Sequence, residues 1–380
     1  MQIRNHVHQA LRVRRETGKG VLAQAIEILR LHRGPGRLSP SEYFLLGLYA
    51  DDRFDFAAKH AFIGYKGERD LHRRMNNPGW WALSWDKLIF YSLLRAAGVP
   101  HPPIAAIFDP KGRFLAGVPT FRERRSLADF LLYEADLPLF VKPSHGVYGR
   151  GTTTILASDP ATRTVTTHRG QETVEAFIDN LDVDHSDGQI FQQRIRPHPQ
   201  VMATCGDRPS SVRMLAMVTR AGVTPVHAVW KIPTGTNIID NFQHGRSGNL
   251  LGAVDVADGR VKRVVGMTED GRIQERSIHP DTGQALPGLH LPEWSDLTAL
   301  AEAGGRLLPR YRVLHFDIAL TDEGPALLEV NLSGDCDLHQ IASGQGLMGP
   351  LFHRALQDCE TERQHEHRAK AALQATTQSN

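Results

Sequence analysis

The chain has 380 residues, of which 41% are hydrophobic and 23% charged, and 44 basic against 42 acidic residues leave a net charge of +2. This composition predicts a folded protein of a few packed lobes. A balance so close to neutral argues against a basic nucleic-acid-binding protein and against an acidic solvating protein. No apolar run reaches the roughly 18 residues that span a bilayer, and the N-terminus lacks the apolar core of a signal peptide.

Three cysteines, Cys205, Cys336 and Cys359, are scattered along the chain. Such a sparse, odd count favours a reducing compartment and argues against a disulfide or cysteine–zinc framework. The 19 histidines show no metal-ligand spacing. We therefore expect a cytoplasmic protein.

Residues 1–37 carry apolar residues at near-helical spacing, with eight Lys or Arg against two Glu, and Gly34-Pro35-Gly36 ends the pattern. This predicts a basic helical arm. A surface helix packed on the body is the simpler interpretation, and a helix that binds a membrane surface or a partner is the alternative.

The remaining elements alternate between helices and strands. Further helices are predicted at 41–50, 53–64, 84–97, 126–134, 174–181 and 294–308, and after residue 353 a helix that frays after about Ala371. Strands are predicted at 104–108, 139–143, 152–156, 164–167, 189–194, 212–219, 226–230, 253–256, 261–265, 313–320 and 326–330.

The most specific polar cluster lies in the last two predicted strands, which the turn Thr321-Asp322-Glu323-Gly324-Pro325 joins. Glu329 and Asn331 are two residues apart, so both project from one face, and antiparallel pairing brings Asp317 opposite that face. Carboxylates inside an apolar sheet need compensation, which a hard cation such as Mg²⁺ supplies when phosphates and water share it. Polar residues bonded to nearby loops are the alternative.

A second feature is the segment 140–152, in which Lys142 ends a buried strand and a glycine-rich loop ending in Gly149-Arg150-Gly151 follows. Glycines let backbone N–H groups approach phosphate oxygens, and the lysine adds a point charge. The loop joins two strands, so it is not a Walker loop. A flexible hairpin with a surface lysine would look similar.

Cations also interrupt other apolar strands. Arg213 and Lys231 each lie within a β-rich run, where a buried cation needs an anionic partner. Phosphates would meet that need during phosphoryl transfer, and a protein carboxylate would meet it equally well. The strand 189–195 offers backbone groups that could contact a purine edge, although an ordinary strand shows the same pattern.

Taken in their order along the chain, these features resemble the ATP-grasp superfamily, and most closely its sugar-transfer-associated branch. The resemblance covers about residues 38–350 and rests on a set of short motifs. They are Asp86-Lys87 before a Pro-rich connector, Lys142 with its glycine loop, Gln192 to Ile195, Arg213, Lys231, Asp240-Asn241, and the strands of Asp317, Glu329 and Asn331.

The resemblance implies that ATP lies between two α+β lobes. Lys87 and Lys142 would contact its phosphates, and the 145–152 loop, with His145, Gly146, Gly149, Arg150 and Gly151, would close over them. The backbone of Gln193, Arg194 and Ile195 would meet adenine. Asp317, Glu329 and Asn331 would hold one or two Mg²⁺ ions. Arg213 would stabilise an acyl phosphate, and Lys231 the γ-phosphate. The sequence departs from many relatives at Arg150 and Gln193, and the roles of Arg246 and Asn249 stay open.

The implied activity is an ATP-dependent carboxylate–amine or carboxylate–thiol ligase with small-molecule or glycan-linked substrates, in polysaccharide or natural-product assembly. An ATP-binding scaffold protein and a phosphotransferase acting on a sugar hydroxyl are the alternatives. His145 and His244 are candidate substrate contacts, with surface or packing roles as the alternative. The predicted division is 1–110 (helical arm and lobe), 111–195 (central lobe), 196–355 (C-terminal lobe) and 356–380 (polar tail).

Overall fold

The computed structural model describes residues 2–146, 149–181, 187–219, 221–332, 334 and 336–378. Two seven-stranded sheets, each with helices packed against it, follow a helical N-terminal region. This is the α+β architecture that the sequence predicts. Among the described residues, no helix is both long enough and apolar enough to cross a membrane.

A helical hairpin begins the chain, formed by α1 (Gln2–Thr17) and α2 (Val21–Arg33). The buried Gln24 amide donates to Ala10 O and Lys19 O, which holds α2 antiparallel to α1. The predicted basic arm is therefore a folded hairpin. Five helices follow it: α3 (Pro40–Leu45), α4 (Phe56–His60), α5 (Tyr65–Met75), α6 (Ala82–Trp85) and α7 (Lys87–Ala96).

A buried ion-pair cluster attaches this hairpin to the body. Lys59 of α4 is 1% exposed, and its ammonium donates to Glu27 of α2 (2.7 Å) and to Asp51. Glu27 also accepts from Lys19 (2.6 Å) and from the Tyr43 hydroxyl (2.6 Å). Burial by itself would raise the pKa of Glu27, but these donors outweigh it and hold the pKa below its usual value. The cluster makes the hairpin a fixed part of the fold.

The first sheet has the strand order β2-β1-β7-β3-β4-β5-β6, and only its β1–β2 pair is parallel. Its strands are β1 (Ile104–Phe108), β2 (Thr120–Phe121), β3 (Leu139–Pro143), β4 (Thr153–Asp159), β5 (Thr164–Thr167), β6 (Gly170–Thr173) and β7 (Gln189–Gln193). Helices α8 (Arg124–Tyr133) and α9 (Val174–Asp179) share an apolar core with it. Strand β1, which the predicted division places with the N-terminal lobe, pairs with β7 in this sheet.

The second sheet is entirely antiparallel, with the order β12-β11-β10-β9-β8-β13-β14. Its strands are β8 (Ser211–Thr219), β9 (Gly222–Ile232), β10 (Leu250–Val254), β11 (Val261–Met267), β12 (Ile273–Glu275), β13 (Val313–Thr321) and β14 (Gly324–Asn331). The remaining helices are α10 (Pro199–Cys205), α11 (Trp294–Arg306), α12 (Cys336–Ser343) and α13 (Pro350–Gln378).

The position of β13 between β8 and β14 determines where the polar side chains of the second sheet meet. Leu314, Phe316 and Ile318 share an apolar core with residues of α11, so the alternate residues of β13 face the other side of the sheet. On that side Asp317 pairs in register with Arg213 of β8 and with Glu329 of β14. The predicted meeting of Asp317 and Glu329 across the hairpin is confirmed.

Each predicted strand coincides or overlaps with an observed strand, whereas the observed helices differ more from the predicted ones. The helices predicted at 41–50 and 53–64 are shortened to α3 and α4. Helices α5 and α12 were not predicted because they bury polar side chains, among them Glu68, His72, His339 and Gln340, and so lack an apolar pattern. The predicted fraying after about residue 371 is wrong, since α13 extends to Gln378; residues 379–380 lie outside the described part of the chain.

We predict that Lys59→Met lowers the free energy of unfolding by about 2–4 kcal/mol, because it leaves Glu27 desolvated with fewer donors. Lys66→Met is the matched control, since Lys66 is exposed, and should change it by less than about 0.5 kcal/mol. Urea unfolding measures both. The low pKa of Glu27 makes its contribution present above the usual value of 4.5 and lost as the pH falls below it, so the difference should shrink in acid. Equal losses in both variants would contradict this account.

Candidate functional site

A cavity of about 1290 Å³ lies between the two sheets. Its walls include residues of β3, β4 and β7 from the first sheet and of β8, β9, β13 and β14 from the second. All but one of the predicted site residues line it, namely Lys87, Lys142, His145, Gly146, Gly149, Arg150, Gln193, Arg194, Ile195, Arg213, Lys231, Asp317, Glu329 and Asn331. The exception is Gly151. The structure therefore brings the separate sequence motifs together around one space.

Lys142 carries a buried charge without a carboxylate partner. Its ammonium donates to the Tyr91 hydroxyl (2.7 Å) and lies 5.0 Å from the centre of the Tyr91 ring, and Tyr91 in turn donates to Leu328 O (2.7 Å). Burial disfavours the charged form and lowers the pKa of Lys142 to about 8. No described carboxylate lies within ion-pair distance of it. A ligand phosphate would supply the missing counter-charge.

Lys87 is a second buried cation, at the start of α7. Asp86 caps this helix by accepting from Leu88 N (2.9 Å), while Lys87 N donates to Ser144 O (3.1 Å). The Lys87 ammonium donates to Gly146 O (3.1 Å), and burial lowers the pKa of this lysine. Within the described chain, Lys87 also forms no ion pair. The capped helix therefore presents a lysine directly beside the glycine loop.

A network behind the glycine loop fixes its start. Arg113 pairs with Asp86 and, at 2.8 Å, with Asp109. His145 lies with Nε2 3.8 Å from Asp86 and with Nδ1 3.5 Å from Asp187. These contacts join the capped helix to the strand ends of the first sheet. Arg113 gave no sequence signal because Asp86, the partner that links it to the site, lies 27 residues away in the chain.

The glycine loop approaches the opposite wall of the cavity. Gly149 has φ 68°, and a Cβ there would lie 2.8 Å from Ile239 Cδ1 and 3.1 Å from Asn241 Nδ2. Only glycine meets both requirements without strain. Arg150 is exposed at the cavity edge. Residues 147–148 of the predicted loop lie outside the described residues.

The second sheet contributes a buried charge cluster centred on Asp317. Arg213 donates from Nε and Nη2 to the two Asp317 oxygens (2.8 and 2.7 Å), and Lys231 Nζ lies 3.2 Å from Oδ2. Lys231 also lies 3.1 Å from Asp240. Burial would raise the pKa of Asp317, but the two cations outweigh it and hold the pKa far below its usual range. Asp317 is thus ionised, and its oxygens are already occupied.

Glu329 and Asn331 provide the open oxygen donors beside this cluster. Asn331 Nδ2 donates to Glu329 Oε1 (3.2 Å), and the Glu329 side chain is 35% exposed and faces the cavity. No group of three His, Cys, Asp or Glu in the described chain is arranged to hold a metal by itself. Mg²⁺ commonly binds through one or two carboxylates together with phosphates and water. The donor set therefore fits a magnesium ion that a nucleotide shares, with Glu329 and Asn331 as its more accessible ligands.

Fewer backbone N–H groups are available to contact adenine than the sequence predicts. Gln193 N donates to Pro103 O (3.0 Å) and Arg194 N to Pro138 O (3.3 Å), so these two donors are occupied. The Arg194 side chain pairs with Asp207 (3.1 Å). The N–H of Ile195 has no such bond among the described residues and remains available to a purine edge.

The loop 233–249 between β9 and β10 forms the opposite wall. Asn249 is 1% exposed, and its amide oxygen accepts from Thr234 N (2.9 Å) and Asn237 Nδ2 (2.8 Å). Its amide nitrogen donates to Ile239 O (3.1 Å) and Asn241 O (3.0 Å). These four bonds assign Asn249 a positioning role that its sequence context left open.

One of the two candidate substrate contacts, His244, lies at the tip of this loop. Gln243 and His244 both have left-handed backbone angles (φ 49° and 53°), which non-glycine residues adopt only when their surroundings impose them. His244 Nδ1 lies 3.5 Å from Asp337 of α12. Arg246 is exposed and lines the cavity. The strained tip thus places an imidazole and a guanidinium at one end of the cavity.

A family of known proteins matches most of the chain, including the strands that line the cavity. Residues 66–355 match the family described as sugar-transfer associated ATP-grasp. No curated protein matches the chain.

Solved structures to which the chain is similar include an L-amino acid ligase from Bacillus licheniformis (15% identity, TM-score 0.38) and a D-alanine–D-alanine ligase from Helicobacter pylori (12%, 0.41). A D-alanine–D-alanine ligase from Bacillus anthracis complexed with ATP is similar at 13% identity and TM-score 0.42. These matches cover 72%, 75% and 79% of this chain and 48%, 63% and 76% of the respective structures. The chain thus spans less than two thirds of the first two.

Proposed function

Since the chain belongs to the sugar-transfer associated ATP-grasp family, we propose that it is an ATP-dependent ligase that activates a carboxylate as an acyl phosphate. The observation that carries the proposal is the pair of buried lysines, Lys87 and Lys142, which line the cavity without a carboxylate partner among the described residues. A nucleotide triphosphate supplies the anion that both lysines lack.

In this proposal, the residues of the chain mainly position the reactants and neutralise their charge. Lys142 and Lys87 hold the phosphates, the glycine loop covers them, and Ile195 contacts adenine. Glu329 and Asn331, with the less accessible Asp317 beside them, would hold Mg²⁺, which would neutralise phosphate charge. Arg213 and Lys231, kept in place by Asp317, face the charge that develops on the transferred phosphoryl group.

The reaction has two steps. A carboxylate oxygen attacks the γ-phosphorus, the bond to the β,γ-bridging oxygen breaks, and ADP leaves. An amine or thiol then attacks the acyl carbon, phosphate leaves with the bonding electron pair, and the nucleophile releases a proton. Placement of the two reactants in one cavity supplies much of the acceleration.

The first test incubates the protein with ATP, Mg²⁺ and a panel of carboxylates, including amino acids, with hydroxylamine as the nucleophile. We expect carboxylate-dependent ADP and a hydroxamate, which forms when hydroxylamine traps an acyl phosphate. Glu329→Gln and Asp317→Asn should each lower ADP formation at least about 100-fold. Glu269→Gln, an exposed carboxylate far from these strands, should have no effect.

Four outcomes would overturn the ligase proposal. ATP binding without carboxylate-dependent ADP would do so, as would equal activity of Glu329→Gln and the Glu269→Gln control. A stable phosphorylated sugar would indicate a phosphotransferase instead, and the lack of Mg²⁺-dependent ATP binding would favour a scaffold protein. Circular dichroism of each variant separates loss of activity from loss of fold.

The pKa of Lys142, about 8, predicts how ATP binding depends on pH. Phosphate binds the ammonium form, so affinity is greatest below this pKa and falls as the pH rises through it. Between about pH 7 and about pH 9 we expect roughly tenfold weaker binding of ATP by calorimetry. Lys142→Arg stays charged and should show no such inflection, whereas Lys142→Gln should bind weakly throughout. A wild-type affinity that is constant over this range would contradict the assignment.

A further inference from the structure

The α1–α2 hairpin takes no part in the cavity. None of the residues that line the cavity belongs to it, and the family match begins only at residue 66. Nevertheless the ion-pair cluster around Lys59 and Glu27 attaches it firmly to the body. The hairpin is thus fixed to the body without lining the cavity, so we looked for a role elsewhere on its surface.

The hairpin exposes an unusual number of large hydrophobic side chains. Of the 16 such side chains exposed in the described chain, six lie between residues 7 and 29. On α2 they repeat at helical spacing on the side opposite buried Gln24 and Leu31. The exposed fractions are 75% for Leu22, 45% for Ile26 and 47% for Leu29, with 52% for Val7 and 44% for Leu11 on α1. Each helix therefore has an apolar outer row.

Arginines continue both rows. Arg14 and Arg15 follow Leu11 on α1, and Arg30 and Arg33 follow the row of α2, and all four are exposed. None of them forms an ion pair with a described carboxylate. Arg30 lies over the Phe56 ring (5.9 Å), which extends the apolar surface onto α4.

The two acidic residues of the hairpin do not offset this charge. Glu27 is occupied by Lys19 and Lys59 on the inner side, and Glu16 lies 3.9 Å from Arg12 and 3.8 Å from Arg272. The outer face thus combines apolar side chains with uncompensated positive charge.

We propose that this outer face, formed by the apolar rows and the four arginines, binds an anionic lipid surface. Apolar side chains on such a helix enter the boundary between headgroups and acyl chains, while long arginine side chains reach the lipid phosphates. Anionic headgroups supply the complementary charge. Pairing with a second copy is disfavoured, because a two-fold interface would bring the same arginines together without an acidic partner.

The test is sedimentation of the full-length protein with vesicles of phosphatidylcholine, with and without phosphatidylglycerol. We expect binding only to the anionic vesicles, and weaker binding as salt is added. Leu22→Ser/Ile26→Ser/Leu29→Ser and, separately, Arg30→Glu/Arg33→Glu should each weaken binding at least about tenfold.

Matched controls lie outside the hairpin, in the segment from β1 to α8. Phe114→Ser removes a hydrophobic side chain that is 74% exposed, and Arg122→Glu/Arg125→Glu makes the same charge change on exposed arginines. Both should bind vesicles as the wild type does, and thermal unfolding of every variant should be unchanged.

Three results would overturn the lipid proposal. One is a wild-type protein that does not sediment with anionic vesicles, or that binds neutral vesicles equally well. Another is hairpin variants that bind as well as the controls. The third is a concentration-dependent dimer that the triple serine variant abolishes, which would assign the face to a second copy of the chain. None of these outcomes affects the ligase proposal, because the hairpin lies outside the cavity.

Discussion

The structure depends on how charge is distributed between the two walls of the cavity. On the second sheet, Asp317 is already paired with Arg213 and Lys231 before any ligand binds. On the opposite wall, Lys142 of β3 and Lys87 of α7 are buried with only a hydroxyl and a carbonyl as hydrogen-bond acceptors. Burying a charge without a counter-charge is costly, and a protein accepts that cost mainly where a ligand removes it. The cavity is therefore prepared for a polyanion.

The antiparallel second sheet builds this arrangement. Because β13 lies between β8 and β14, one register places Arg213, Asp317 and Glu329 side by side, and a slip of β13 by one residue would turn Asp317 away from the other two. The loop 233–249 reaches over the site and is held by the buried amide of Asn249. Gly149 allows the glycine loop to approach it closely. Rigid strands thus carry the charges, and loops cover them.

Local patterns predicted much of this from the sequence. The Asp317–Glu329 contact follows from the predicted turn at 321–325 and the period of a strand, and Lys142 follows from a strand that ends at a glycine loop. Partners distant in the chain could not be foreseen: Tyr91 meets Lys142 only when α7 packs on β3, and Lys59 reaches Glu27 across separate helices. Helices α5 and α12 were missed for a related reason, since they bury ionisable and amide side chains that a hydrophobic pattern does not detect.

A crystal structure with a non-hydrolysable ATP analogue and Mg²⁺ would show whether the two buried lysines bind nucleotide phosphates. We expect phosphate oxygens within about 3 Å of both the Lys142 and the Lys87 ammonium groups. We also expect the Lys142 ammonium to lie between these oxygens and the Tyr91 hydroxyl. A structure in which the phosphates lie elsewhere, while Lys142 and Lys87 keep only Tyr91 and Gly146 as partners, would show that these lysines do not bind the nucleotide.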